Sequence, residues 1–217
     1  MKVIKKLIRL IVGFVFCALG IVFTINANLG LAPWDVLHQG ISNLTGITMG
    51  QASIIIGIIV IIADMLLGES LGWGTILNML LIGWLMDIFM FSNLIPEADS
   101  LIFGIIMIFI GMILMGIGCY LYIGAGMGSG ARDGMMVALQ KRSSKPVSVV
   151  RMTIEICALI IGYLLGGTVG IGTVISGLGL GYCIQLVFKV VKFNVSEVQH
   201  RYIHHDIKLI KEKIEVN

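Results

Sequence analysis

The stretch Leu101–Ile123 reads LIFGIIMIFIGMILMGIGCYLYI and contains no charged residue. As a helix it would be about 34 Å long, enough to cross the roughly 30 Å hydrocarbon core of a bilayer. The rest of the chain has a similar character, since 58% of its 217 residues are hydrophobic and only 12% are charged. A soluble domain would carry roughly 25% charged residues. We therefore expect an all-α, multi-pass integral membrane protein.

Five further apolar stretches are long enough to span. The six predicted spans are Leu7–Ile25, Gly50–Leu67, Gly74–Phe91, Leu101–Ile123, Val147–Leu165 and Gly172–Val191. Two gaps between them, Asn26–Met49 and Gly124–Pro146, are more polar and longer than a tight turn. In the first gap, Trp34, Leu37 and Ile41 share one helical face. Each gap is predicted to hold a helix too short to span, either re-entrant or lying at the interface.

The basic residues predict the orientation. All fifteen Lys and Arg fall in three zones, with four at 2–9, five at 132–151 and six at 189–213. With six spans these zones lie on one side, and the positive-inside rule makes that side cytoplasmic. Both termini are therefore predicted to be cytoplasmic, in a bacterial inner membrane. The small net charge of +3 argues against a nucleic-acid partner.

The chain also repeats itself with a constant offset of 98 residues. The matching pairs are Gly13/Gly111, Gly20/Gly118, Gly30/Gly128, Asp35/Asp133, Gly68/Gly166, Gly72/Gly170, Gly74/Gly172, Thr75/Thr173 and Gly83/Gly181. Seven Gly pairs exceed the number that chance would give in an apolar chain. Because each unit holds three spans, the second unit should enter from the opposite side. We predict two inverted three-helix repeats, residues 1–100 and 101–192, an architecture typical of secondary transporters.

The remaining residues, 193–217, are polar and form a predicted cytoplasmic tail. Ile203, Ile207, Ile210 and Ile214 make a helical stripe, which predicts an amphipathic helix. His200 and His204 stand four residues apart, but no third ligand completes a convincing metal site.

The block GLAPWDVLHQG at Gly30–Gly40, followed by TGITMG at Thr45–Gly50, resembles the YczE branch of the YczE/YyaS/YitT family of bacterial membrane proteins. GTILN at Gly74–Asn78 and GWLMD at Gly83–Asp87 look like the next block of that family. The resemblance covers the six spans and leaves out the tail. It implies a small bacterial inner-membrane protein, and it implies no particular substrate or reaction.

Two Gly-rich segments are the strongest candidates for a binding site. NLGLAPWD at Asn28–Asp35 and GAGMGSGARD at Gly124–Asp133 each lead into a short helix, whose N-terminus presents free N–H groups. The candidate substrate- or ion-binding residues here are Asn28, Gly30, Trp34, Asp35, His38, Gly128, Ser129, Arg132 and Asp133. If both segments re-enter, Asp35 and Asp133 should approach one cavity and favour a cation, an amine or a proton. The alternative is two interfacial helices, each on its own surface.

Charges inside the spans are further candidates. Glu155 is about 13 Å deep in the fifth span, and Arg151 one turn earlier can pair with it. Asp87 and Gln185 are equivalent in the two units, and each follows a Gly by four residues. We therefore add Glu155 and Asp87 to the candidate sites. Asp64, near the end of its span, is expected to reach water, and Asn78 is expected to serve helix packing.

Enzyme motifs fit poorly. The segment around Asp133 lacks the Gly-x-Gly-Asp pattern of intramembrane aspartyl proteases, and Gly128-Ser129-Gly130 lacks the rhomboid pattern. We predict no catalytic residue, metal site or cofactor. The predicted function is a transporter-like protein that moves a small solute and is coupled to an ion gradient. The alternative is a non-transporting accessory that anchors or regulates a partner.

Overall fold

The computed structural model describes residues 2–128, 130–143 and 145–203. Within this part of the chain it has eight α-helices and no β-strand. The helices are α1 Lys2–Asn26, α2 Pro33–Thr45, α3 Met49–Leu66, α4 Trp73–Phe91, α5 Leu101–Gly124, α6 Ala131–Ser143, α7 Val147–Leu164 and α8 Ile171–Val190. The prediction of an all-α protein is confirmed.

Six of the helices described are long and apolar enough to cross a membrane, namely all except α2 and α6. Large apolar side chains such as Ile59, Ile102 and Leu178 are exposed on them. Such surfaces are stable against lipid and unstable against water. The prediction of a six-span membrane protein is confirmed.

The helix boundaries repeat with the predicted offset. Helices α2 and α6 begin at residues 33 and 131, α3 and α7 at 49 and 147, and α4 and α8 at 73 and 171. The superposition of residues 7–92 on 105–190 through a two-fold axis in the membrane plane stays a prediction.

Local sequence signals explain several helix ends. Pro33 occupies the first turn of α2, where its missing N–H costs nothing, and Gly46 ends the helix in a left-handed conformation at φ +77°. Helix α3 begins with a capping box, in which the Thr48 hydroxyl accepts from the Gln51 N–H and the Gln51 side chain accepts from the Thr48 N–H.

Helices α1 and α5 form the centre of the bundle and run antiparallel. Gly13 contacts Gly118, Gly20 contacts Gly111, and the Ala27 carbonyl contacts Gly104. A Cβ on Gly20 would lie 2.5 Å from the Gly111 carbonyl oxygen, so these contacts require glycine. Small residues let helix backbones approach closely where the hydrophobic effect between helices is weak.

The glycine-rich turn of each unit docks on the last helix of the other unit. The Gly172 N–H donates to the Leu29 carbonyl at 2.6 Å, and the Gly74 N–H donates to the Met127 carbonyl at 2.7 Å. These two hydrogen bonds are equivalent under the 98-residue offset. The turns are thus built into the bundle.

The start of the tail returns to the bundle. After a 3-10 turn at Val195–Glu197, the Arg201 N–H donates to the Gly126 carbonyl and the Ile203 N–H to the Leu71 carbonyl, both at 2.9 Å. The rest of the predicted amphipathic helix, with Ile207, Ile210 and Ile214, lies outside the described residues.

Candidate functional site

Helices α2 and α6 start from opposite ends of the bundle. Arg9 packs against Gly124, so the C-terminus of α5 lies beside the early part of α1. The distance along α1 from Arg9 to Asn26 is about 25 Å. The Gly-rich turn before α2 follows Asn26 and the one before α6 follows Gly124. We refer to these two ends of the bundle as the Asn26 end and the Gly124 end.

The N-termini of the two short helices nevertheless meet inside the bundle. The Arg132 guanidinium of α6 lies over the Trp34 ring of α2, 4.6 Å from its centroid. Trp34 also packs against the buried cluster of Val60, Ile61 and Ala131. Helices lying flat on opposite surfaces would be about 30 Å apart and could not touch. Both segments therefore turn back into the bundle, as the re-entrant alternative predicts.

His38 joins the same contact from α2. Its Nε2 lies 3.3 Å from an Arg132 Nη, and its Nδ1 lies 3.3 Å from Asp35 Oδ1, without the alignment of a full hydrogen bond. Since arginine only donates, Nε2 must accept, which places the ring proton on Nδ1, facing Asp35. Burial lowers the pKa of His38, consistent with this neutral form. Asp35 and His38 thus position Arg132.

A cavity of about 210 Å³ opens beside this contact, between the two units. Its polar lining comes from Ser53 of α3, Asn78 of α4, Tyr122 of α5, and Arg132 and Asp133 of α6. The rest of the wall is mostly apolar and includes Cys17, Ile82, Met115 and Leu180. Arg132 has five N–H donors, and much of its surface stays accessible beside the cavity. The cavity can therefore hold an anionic group of a small solute.

The two predicted carboxylates have different positions. Asp133 lines the cavity, and its Oδ2 lies 3.4 Å from the Tyr122 hydroxyl, which donates to it. Asp35 is buried behind His38 and does not line the cavity. The expected pair of carboxylates facing one cavity is not formed, because α2 presents its Trp34 ring to α6 instead.

Three other predicted residues shape the turns. Asn28 adopts φ +52° and donates from Nδ2 to Glu97 at 3.3 Å, away from the cavity. Gly30 at φ +97° contacts Gly170, and Gly128 at φ +121° contacts Gly72. These glycines have positive φ and no room for a Cβ, so they are structural. Ser129 lies outside the described residues.

Asp87 joins α4 to the start of α3. Its Oδ1 accepts from the Gly50 N–H at 2.8 Å, and its Oδ2 accepts from the Thr48 hydroxyl. Gly50 packs directly on the Gly83 carbonyl. We call Thr48, Gly50, Gly83 and Asp87 together the latch. It holds α3 and α4 together, and it does not line the central cavity.

Helices α7 and α8, the equivalents of α3 and α4 in the second unit, are not joined in this way. Pro146, Ser148 and Gln185 stand where Thr48, Gly50 and Asp87 stand in the first unit, so the side-chain donor and the carboxylate are both missing. Helices α7 and α8 barely touch, and a groove of about 570 Å³ lies between them.

The predicted salt bridge between Arg151 and Glu155 lines this groove. Arg151 Nε lies 3.0 Å from Glu155 Oε1, which confirms the pair. The pair is not buried, because about half of the Arg151 side chain is exposed in the groove.

A family model described as "Family of unknown function (DUF6198)" matches residues 4–189, which include five spans and all but the last residue of the sixth. The chain belongs to this family. Membership covers both units and leaves out the tail, as the resemblance in the GLAPWDVLHQG block predicted.

Individual relatives support the same assignment. An "Uncharacterized membrane protein YczE" of Bacillus subtilis is 33% identical over 177 residues, 80% of each chain. An "Uncharacterized protein" of Haemophilus influenzae is 34% identical over 165 residues, 76% of this chain and 75% of the relative. An "Uncharacterized protein YyaS" of B. subtilis is 26% identical over 187 residues, which are 83% of this chain and 91% of the relative. The predicted resemblance to YczE and YyaS is confirmed. No solved structure matches.

Three residues that line the central cavity were not among the candidates predicted from the sequence. Asn78, expected to pack between helices, lines the cavity, as do Ser53 and Tyr122. Asn78 carried a usable signal, a lone amide in an apolar span. Ser53 and Tyr122 carried none, because both residues are common in membrane helices.

Proposed function

We propose that this protein is a transporter that moves a small solute through the central cavity. The observation that carries the proposal is the meeting of Arg132 with Trp34 and His38. It joins two half-helices from opposite ends, and the N-terminus of one of them, α6, lines a polar cavity. Half-helices with their N-termini near mid-depth are a recurrent way to build a solute site in secondary transporters. Irregular backbone at such depth is tolerated where it lines a cavity or is buried in protein.

The lining favours a small solute with an anionic group. Arg132 suits a carboxylate, because its planar fork donates two parallel hydrogen bonds. Asp133 and Asn78 can hold an ammonium or hydroxyl group on the same solute. A cavity of about 210 Å³ is small beside the 300–1,000 Å³ pockets of drug-sized ligands. We therefore propose a compact metabolite, with an amino acid-like zwitterion as the best match.

The unequal state of the two units supports alternating access. In a protein built from two inverted repeats, the units exchange conformations as the site faces one side and then the other. Here the latch closes α3 on α4, while α7 and α8 are separated by the groove. The one-sided distribution of Lys and Arg supports an inner-membrane orientation with the Gly124 end facing the cytoplasm.

The test is ligand-dependent thermal stability of the purified protein. A solute that binds the folded state raises its melting temperature. We expect one class of carboxylate-bearing solutes to do so, with at least a tenfold loss of affinity in Arg132→Gln. Arg142→Gln is the matched control, because Arg142 is exposed at the other end of α6. The active solutes then enter proteoliposome uptake assays.

Three results would contradict the proposal. One is the absence of any stabilising solute across such a library, another is unchanged binding in Arg132→Gln, and the third is binding without uptake. A protein that binds no solute but loses function with its tail would fit the accessory alternative instead.

A further inference from the structure

Asp64 is a buried carboxyl that the proposed solute site does not use. It lies near the C-terminus of α3 and is only 1% exposed. The expectation that it reaches water is wrong, because α6 packs over it. Its Oδ1 has no hydrogen-bond partner among the described residues.

Asp64 faces a small cavity of its own, about 80 Å³, near the Gly124 end. The wall includes Glu69 and Ser70 from the α3–α4 loop, Gly134 from α6 and Tyr202 from the tail. A Cβ on Gly134 would lie 2.6 Å from Asp64 Oδ2, so glycine makes room for the carboxyl.

The second unit shows that the packing does not require this carboxyl. The residue equivalent to Asp64 is Gly162, which packs directly on the α2 backbone at Leu37. Two helices can therefore meet here without a side chain between them. In the first unit Asp64 stands between α3 and α6 and borders a cavity that can hold a water molecule.

The Asp64 cavity borders the central cavity. Gly130, just before α6, lines both of them, and Asp133 lines the central one. A movement of the α6 N-terminus that follows solute binding would therefore change the surroundings of Asp64.

We propose that Asp64 is a proton-binding site that couples proton movement to the solute cycle. A buried carboxylate without a partner is unstable in its charged form and takes up a proton instead. The ionisable groups around it in the described part of the chain do not neutralise it. They are Glu69, Asp133 and Tyr202, together with Lys141, whose Nζ is held by Glu69 at 2.7 Å. The coupling role rests on the proposed transport function, whereas proton binding by Asp64 does not.

The test is infrared spectroscopy of the protein in lipid nanodiscs, titrated from about pH 5 to about pH 9, a range in which an ordinary aspartate is already ionised. We expect a carbonyl band of a protonated carboxylic acid that is present at the low end, is lost on titration, and is missing in Asp64→Asn. Asp99→Asn, which alters an exposed loop carboxyl, should keep the band.

Thermal stability gives a second readout. If Asp64 binds a proton in the native state as proposed, the stability that the proton adds is present at low pH and lost as pH rises. We expect the wild-type melting temperature to fall by about 5 °C more than that of Asp64→Asn over this range, with Asp99→Asn behaving as wild type.

Four outcomes would overturn the proposal. They are the absence of the band in the wild type, its persistence in Asp64→Asn, failure of this isosteric neutral variant to fold, and stabilisation of the wild type at high pH by sodium ions alone. A protein that binds no solute yet shows the Asp64 band would contradict transport and leave the proton site standing. In a protein that does transport, uptake of the solute by Asp64→Asn that still depends on a pH gradient would contradict the coupling role.

Discussion

Among single residues, Arg132 is the one on which the proposed site depends. Its guanidinium contacts both the Trp34 ring and His38 Nε2, and Asp35 lies on the Nδ1 side of that imidazole. All three partners belong to α2, while Arg132 belongs to α6. One side chain therefore links the two units at the wall of the cavity.

The first prediction concerns His38. Its replacement by Ala removes the imidazole nitrogen that lies 3.3 Å from the buried Asp35 carboxyl, and an unsatisfied buried group costs about 1–3 kcal/mol. We expect His38→Ala to lower the free energy of unfolding by that amount. Adding Asp35→Asn should recover part of the loss, since the buried carboxyl left without the imidazole is then replaced by an amide. Thermal unfolding of the four proteins in the cycle checks this, and strictly additive effects would contradict the arrangement.

At the scale of helices, the two units differ at equivalent positions. Gly83 faces Gly50 across the latch, and a Cβ on it would lie 2.7 Å from the Gly50 carbonyl oxygen. At Gly181, its equivalent in α8, an added Cβ would meet nothing within 4 Å. The same substitution should therefore have opposite effects in the two units.

The second prediction follows from that difference. Gly83→Ala should destabilise the protein by about 1–3 kcal/mol through overpacking. Gly181→Ala should be neutral or stabilise it by up to about 1 kcal/mol, because alanine is the better helix former. The melting temperatures of the two variants, measured side by side with the wild type in the same detergent, test this prediction. Equal losses in both would mean that α7 and α8 pack as tightly as α3 and α4.

The boundaries of the helices could be predicted from the sequence to within a few residues, because apolar runs of about 20 residues in a membrane protein have one stable structure. The 98-residue offset likewise gave the equivalence of α2 with α6. The partners of side chains could not be predicted in this way. Nothing in the sequence placed Trp34 over Arg132 or Asp64 against Gly134, since these contacts depend on how the two units dock.

At the scale of the whole molecule, orientation is the main expectation to test. The third prediction is that single cysteines at Asn43 and Glu97, in a background without the four native cysteines, react with an impermeant thiol reagent added outside cells. A cysteine at Lys141 should react only after the membrane is opened. These results follow from the one-sided distribution of Lys and Arg. Labelling of position 141 in intact cells would contradict the predicted orientation.

Two half-helices from opposite ends of the bundle meet at Arg132, which lines the central cavity. This contact can be measured by thiol cross-linking between cysteines at positions 34 and 132, with a short bifunctional reagent and mass spectrometry of the linked peptides. Cysteines at 43 and 142, near the far ends of α2 and α6, are the matched control pair. We expect a cross-link for 34 with 132 and none for 43 with 142. If 34 and 132 stay unlinked while each reacts with a single-headed reagent, the two helices lie apart and the proposed site does not exist.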